Sequence, residues 1–132
     1  MAQVTQLMIL AEHKPGMLAR ICTELAKVAV NITAVMAAHD QPGGIRMVAQ
    51  PLHTAKKVLE QMHLPYTEEE VLALRLSDKP GALGKATRKL AEKGVNILYA
   101  YGSIVKGEDR ALIIFGVSDV KKAAEILKGS MQ

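Results

Sequence analysis

The sequence predicts an α+β protein built from one strand–helix–strand–strand–helix unit used twice. Three observations predict it. Lys14-Pro15-Gly16-Met17-Leu18 returns as Lys79-Pro80-Gly81-Ala82-Leu83, and Val30-Asn31-Ile32 returns as Val95-Asn96-Ile97. Every matched pair is 65 residues apart, including Leu25-Ala26 with Leu90-Ala91 and Lys56-Lys57 with Lys121-Lys122, so no gap is needed. Within each repeat, short apolar runs alternate with stretches of helical period, the pattern of a repeated supersecondary unit.

In the first unit Gln6 to Ala11 reads as a buried strand. Pro15 is suited to the first helical position, where no N–H partner is lost. Leu18, Ile21, Cys22 and Leu25 follow at i, i+3, i+4, i+7, one apolar stripe, so the Cys22 thiol is expected to be buried and inert. Val30 to Ala38 and Ile45 to Gln50 are strands around a Gln41-Pro-Gly-Gly44 turn, a hairpin. Thr54 is placed to cap a second helix through Met62, with Val58, Leu59 and Met62 on one side.

The segment from His63 to Glu70 joins the halves, with a short strand expected around Tyr66 and a solvated acidic cluster at Glu68, Glu69 and Glu70. In the second unit Val71 to Leu76 is a strand. Pro80 to Lys93 is a helix with Leu83, Ala86 and Leu90 toward the core. Gly94 suits the left-handed position that ends helices. Its counterpart Ala29 would strain by about 1 kcal/mol there, so the first helix is expected to end differently. Val95 to Val105 and Arg110 to Val117 flank a Lys106-Gly-Glu-Asp109 turn, with Tyr99 and Tyr101 on the same strand face as Val95 and Ile97. Asp119 caps the last helix to Lys128. Too little chain then remains for a full fourth strand.

This is the ferredoxin-like (βαββαβ) plan twice over, antiparallel sheets with helices on one face. The boundaries expected are residues 1–68 and 69–132. A chain of 132 residues can bury roughly two-thirds of its unfolded surface, whereas half of it would be marginal alone. Net charge is +4, with lysines spread along both repeats, which reads as a solvated surface. A single cysteine excludes an internal disulfide and suits a reducing compartment. The start of the chain lacks a signal-peptide pattern, and no apolar stretch is long enough for a membrane span. A cytoplasmic location is expected.

The Lys-Pro-Gly turns carry the functional expectation. Each sets a helix start at the end of a strand, where open amides and the positive end of the dipole attract a carboxylate or phosphate. Gly16 and Gly81 would let a ligand approach the backbone. The Asn31 and Asn96 amides both donate and accept, which suits a zwitterion. No P-loop, dinucleotide fingerprint or Cys/His pair is found, and His39, His53 and His63 have no metal-ligand spacing, so neither an enzyme nor a metal or cofactor is expected.

Lys-Pro-Gly-x-Leu, an amphipathic helix, Val-Asn-Ile and a hairpin together resemble the ACT domain, a small-molecule-sensing module of amino-acid metabolism. The likeness covers nearly the whole chain, as two tandem domains. It implies side-by-side pairing of domains and an effector, typically an amino acid, held between the strand–helix loop of one domain and a strand of its neighbour. Carried over by position, the implied site residues are His13, Lys14, Gly16, Met17, Leu18, Asn31 and Ile32 in the first repeat. Those in the second are Asp78, Lys79, Gly81, Ala82, Leu83, Asn96 and Ile97. Serine-binding members place an Asn where this chain has His13 and Asp78, and a His where it has Ala11 and Leu76, a departure that counts against serine. His13 and Asp78 would also make the two sites unequal in charge. The implied role is an allosteric amino-acid sensor acting on a regulated enzyme or transcription factor, away from membranes; a homodimer is expected because the second unit lacks its last strand and leaves an edge to cover. A nucleic-acid-binding ferredoxin-like protein is the alternative, disfavoured by the scarcity of aromatics for base stacking. A purely structural dimerisation unit is the third reading.

Overall fold

The computed structural model describes residues 2–12, 14–38, 44–77, 79–103 and 110–128. The elements run β1 (Ala2–Ile9), α1 (Met17–Lys27), β2 (Asn31–Ala38), β3 (Gly44–Gln50), α2 (Leu52–Gln61), β4 (Tyr66–Ser77), α3 (Ala82–Glu92), β5 (Ile97–Ser103), β6 (Arg110–Val117) and α4 (Val120–Leu127). The chain divides into two compact units: Thr5–Glu69, and Met1–Val4 together with Glu70–Gln132.

In the Thr5–Glu69 unit the antiparallel order is β2-β3-β1-β4. Alternate residues of β1 and β3 (Leu7, Ile9, Ile45, Met47, Ala49) pack against Ile21 and Leu25 of α1 and Ala55, Val58 and Leu59 of α2. In the other unit the order is β1-β4-β6-β5. There Leu72, Leu74, Leu76, Phe115 and Val117 meet Ala86 and Leu90 of α3 and Ala123 and Leu127 of α4. Each unit is thus a ferredoxin-like sheet with its helices on one face.

The fourth strand missing from the second repeat is supplied by the start of the chain. Residues Met1–Val4 belong to that unit, and β1 begins at Ala2, four residues before the expected strand. The joining segment and the next strand are one 12-residue strand, β4, divided between the units at Glu69 and Glu70.

Local details depart from expectation for identifiable reasons. Pro15 and Pro80 do not open helices. Each sits at the second position of a type II turn, with Gly16 at φ 86° and Gly81 at φ 91° in the third. This is the turn that Pro-Gly favours, because only glycine enters the positive-φ position freely. The helices begin at Met17 and Ala82, two residues after the prolines, and Leu18 and Leu83 fall outside the core stripe, 36% and 48% exposed. Cys22 is only half-buried.

Both long helices nevertheless end alike. Val30 donates to the Leu25 carbonyl (3.0 Å) and Ala29 to Ala26 (3.1 Å); Val95 donates to Leu90 (2.9 Å) and Gly94 to Ala91 (3.0 Å). These are paired Schellman closures, each with an apolar clasp between the last core leucine and the valine. Ala29 accepts φ 59° to make its closure, where Gly94 has φ 78°, so the expectation of a different ending is overturned. The same closures consume Val30 and Val95, so β2 and β5 start after them.

Pro51, not Thr54, stands at the N-cap of α2, whereas Asp119 caps α4 as expected, its Oδ1 accepting from the Lys122 amide at 3.0 Å. The acidic cluster is not simply solvated. Glu69 Oε1 accepts from Arg46 Nε (3.2 Å) and from Nε2 of the fully buried Gln6 (3.1 Å), and Glu68 pairs with Lys56 (3.2 Å). Both hairpin turns fall outside the described residues, residues 39–43 in the first unit and 104–109 in the second.

A bulge recurs at the same place in both repeats. Register shifts between Ile32 and Ala34 on β2, and between Ile97 and Tyr99 on β5. On β5 it turns Tyr99 and Tyr101 to the face opposite Ile97, which corrects the single-face reading. Tyr99 is registered with Gly116, and its ring fills the space a Cβ there would need. Bulges on edge strands re-aim side chains in this way.

Candidate functional site

The two Lys-Pro-Gly turns have the same geometry. Each closes through the amide after the glycine: Met17 donates to the Lys14 carbonyl at 3.4 Å, and Ala82 to Lys79 at 3.2 Å. The first true helical bonds run from Arg20 to Gly16 and from Lys85 to Gly81, both 2.9 Å. One amide of each helix start is therefore already taken. The next two, on Leu18 and Ala19 and on Leu83 and Gly84, have no backbone acceptor among the described residues. A Cβ at Gly16 or Gly81 would meet nothing within 4 Å, so both turns face open space. Lys14 pairs with Glu12 (3.4 Å); Lys79 makes no ion pair among the described residues. Met17 packs against the first core, and Ala82 is half-buried. His13 and Asp78 lie outside the described residues.

Asn31 opens β2 and is exposed, with Ile32 packed on the first core behind it. Asn96 precedes β5 and is exposed; Ile97 packs on the second core. The backbone of Asn96 is fixed on both sides by Ser118: its amide donates to Ser118 Oγ (3.0 Å), and its carbonyl accepts from the Ser118 amide (2.9 Å). Its carboxamide has no partner among the described residues.

Within one unit the two motifs are not brought together. Gly81 and Asn96 lie at opposite ends of α3, whose 11 residues span about 16 Å.

What gathers around Asn96 instead is an open, shallow cleft between α3 and the start of β5. It is lined by Gly84, Thr87, Arg88 and Ala91 on the helix and by Val95, Asn96 and Ile97. Sequence reasoning singled out Asn96 and Ile97 but missed the helical side. Its signal was present: 84, 87, 88 and 91 recur at i, i+3, i+4, i+7, a second stripe beside the core stripe, made of small and polar residues. Thr87 Oγ1 donates toward the Leu83 and Gly84 carbonyls (3.0 and 3.1 Å). Arg88 is exposed and makes no ion pair among the described residues.

Among the described residues no cluster of His, Cys, Asp and Glu could hold a metal, and no helix is long and apolar enough to cross a membrane.

A family model described as "ACT domain pair" matches residues 2–131. No curated protein matches the chain. Among solved structures, protein BT0572 from Bacteroides thetaiotaomicron superposes with a TM-score of 0.87 at 29% identity, over 97% of this chain and 88% of that one. The regulatory subunit of aspartate kinase from Thermus thermophilus, in its ligand-free form, gives 0.63 at 14% identity over 98% and 93%. E. coli aspartokinase III in complex with lysine and aspartate gives 0.56 at 16% identity, over 96% of this chain and 30% of that enzyme. The latter two likenesses are of fold. The match across 2–131 assigns the whole repeat, turns and edge strands included, and this chain belongs to the ACT family as an ACT domain pair.

Proposed function

We propose that this protein is a non-catalytic regulatory module that binds a small molecule, an amino acid, and passes the binding signal to a partner. The observation that carries the reading is the duplicated helix start, a left-handed glycine with empty space at its Cβ position and open amides behind it, in a chain of this family. Such a start favours a carboxylate electrostatically and sterically. Lys14, Gly16, Met17 and Leu18, and Lys79, Gly81, Ala82 and Leu83, would form the loop sides, with His13 and Asp78 beside them. Asn31, Ile32, Asn96 and Ile97 would form the strand sides. Because loop and strand motifs stand a helix length apart within a unit, a complete site of this kind needs a neighbouring domain. β2 and β5 end the strand orders of their units, so each offers an edge that a homodimer could use.

Binding would then act by population shift, stabilising the packing that makes both sides of the site. The output would fall on a regulated enzyme or a transcription factor in the cytoplasm. The Thermus relative's description as a regulatory subunit supports a separate regulated partner. The E. coli relative in complex with lysine and aspartate supports amino acids as effectors.

A thermal-shift screen against the twenty amino acids tests the proposal. Ligand at 100 times its Kd adds about 2.7 kcal/mol, a rise of several degrees. A flat response to all twenty, with native dimer present, would remove the sensor reading.

A further inference from the structure

We propose that the α3–β5 cleft of the second unit binds the zwitterion of an α-amino acid with an uncharged side chain, anchored through Arg88, and that the first unit has no equivalent. This rests only on the reading above that the protein binds an amino acid; it places the carboxylate on Arg88 within one unit instead of on the helix-start amides, and sets a ligand class and a stoichiometry of one per chain.

The lining divides chemically along the helix. Arg88 offers a planar guanidinium that makes no ion pair among the described residues, suited to gripping a carboxylate through two parallel hydrogen bonds. Asn96 offers a carboxamide oxygen that can accept from an ammonium, on a backbone held in place by Ser118. Helix direction agrees with that order. Ala91 lies in the last turn of α3, where carbonyls make the end negative. The ammonium therefore belongs toward Asn96 and the carboxylate toward Arg88. Val95 and Ile97 supply apolar wall, and a Cβ at Gly84 would meet nothing within 4 Å. Among the described residues no acidic side chain lines the cleft to pair a basic one, and Arg88 is the one cation there, so a ligand with a second carboxylate would leave one unpaired.

The repeat provides an internal comparison. The positions equivalent to Gly84, Thr87, Arg88 and Asn96 are Ala19, Cys22, Thr23 and Asn31. The asparagine is kept and the cation is not; the Thr23 hydroxyl is committed to the Ala19 carbonyl at 2.7 Å. Charge follows the same division. Residues 1–69 carry six basic and six acidic side chains, and residues 70–132 carry eleven and seven, so the whole net charge of +4 resides in the second half.

The test is calorimetry on the full-length protein and two variants, Arg88→Gln and Lys89→Gln, which remove the same charge from the same helix. Lys89 does not line the cleft. The probes are the twenty L-amino acids and, as amine-free controls, propionate, isobutyrate and isovalerate. The expected result is binding of an uncharged-side-chain amino acid at one site per chain, weakened at least tenfold by Arg88→Gln, unchanged by Lys89→Gln, with the amine-free acids much weaker. Melting temperatures of the variants establish that both remain folded. Equal binding by wild type and Arg88→Gln, or two equal sites per chain, overturns this inference and leaves the sensor reading standing. Absence of binding by any amino acid overturns both.

Discussion

Replacing Ala29 by glycine should stabilise this protein, although it only deletes a methyl group at an exposed position. Ala29 closes α1 with φ 59°, a conformation that Gly94 supplies at φ 78° in the twin helix. An L-residue with a Cβ pays roughly 1–2 kcal/mol for the left-handed region. Glycine avoids that strain but loses about 0.4–1 kcal/mol more chain entropy on folding. The difference leaves a net gain of about 0.5–1 kcal/mol for Ala29→Gly. The reverse change, Gly94→Ala, should cost about 1 kcal/mol from backbone strain alone, because a Cβ at that position meets nothing within 4 Å. Urea denaturation followed by circular dichroism resolves both, read as opposite shifts in midpoint at constant slope. Calorimetry should show Ala29→Gly melting about 2–4 °C higher, given the scaling of melting temperature with chain length. Loss of stability in Ala29→Gly, with Gly94→Ala behaving as stated, would refute the claim that the two closures are equivalent.

Three further outcomes are expected. Tyr66 donates to Glu60 Oε2 at 2.7 Å, and that hydrogen bond, with desolvation and the nearby carboxylates, raises its pKa from 10.0 to about 12. Absorbance titration at 295 nm should show a late tyrosine that Tyr66→Phe removes. Since the folded pKa is the higher one, the stability from this bond is full below pH 10 and lost as pH rises toward 12. Gly116→Ala should cost about 1–3 kcal/mol by forcing a methyl into the Tyr99 ring; Tyr99→Ala in the same chain should recover most of the loss in a double-mutant cycle. Glu69→Ala should cost about 1–3 kcal/mol by removing the acceptor shared by Arg46 and buried Gln6, whereas Glu92→Ala on the exposed side of α3 should stay within about 0.5 kcal/mol in urea melts.

The fold was legible because it is written twice at a fixed offset and because core positions keep helical and strand periods. Reading failed where local chemistry had two outcomes. Pro-Gly can open a helix or make a type II turn, and spacing alone does not decide; the turn wins here. At Ala29 the Schellman bonds and the Leu25–Val30 clasp outweigh about 1 kcal/mol of strain, so propensity lost to tertiary packing. The β5 bulge reversed the facing of Tyr99 and Tyr101, and a one-residue slip leaves no mark in an alternating pattern. The second unit's fourth strand was hidden because it comes from the opposite end of the chain. Of the site, the turns and asparagines were visible as repeats. Arg88 was not, because it is a difference between the repeats.

The most direct test of amino-acid binding at these motifs is a backbone amide NMR titration with the best amino acid from the thermal screen. The largest shifts are expected at the turns and asparagines, strongest in Gly81–Ile97 with Leu83, Gly84 and Asn96 among them, while the amides of Leu7 and Met47 in the first core stay still. Shifts dispersed away from the turns and asparagines, or none at all, would contradict that reading.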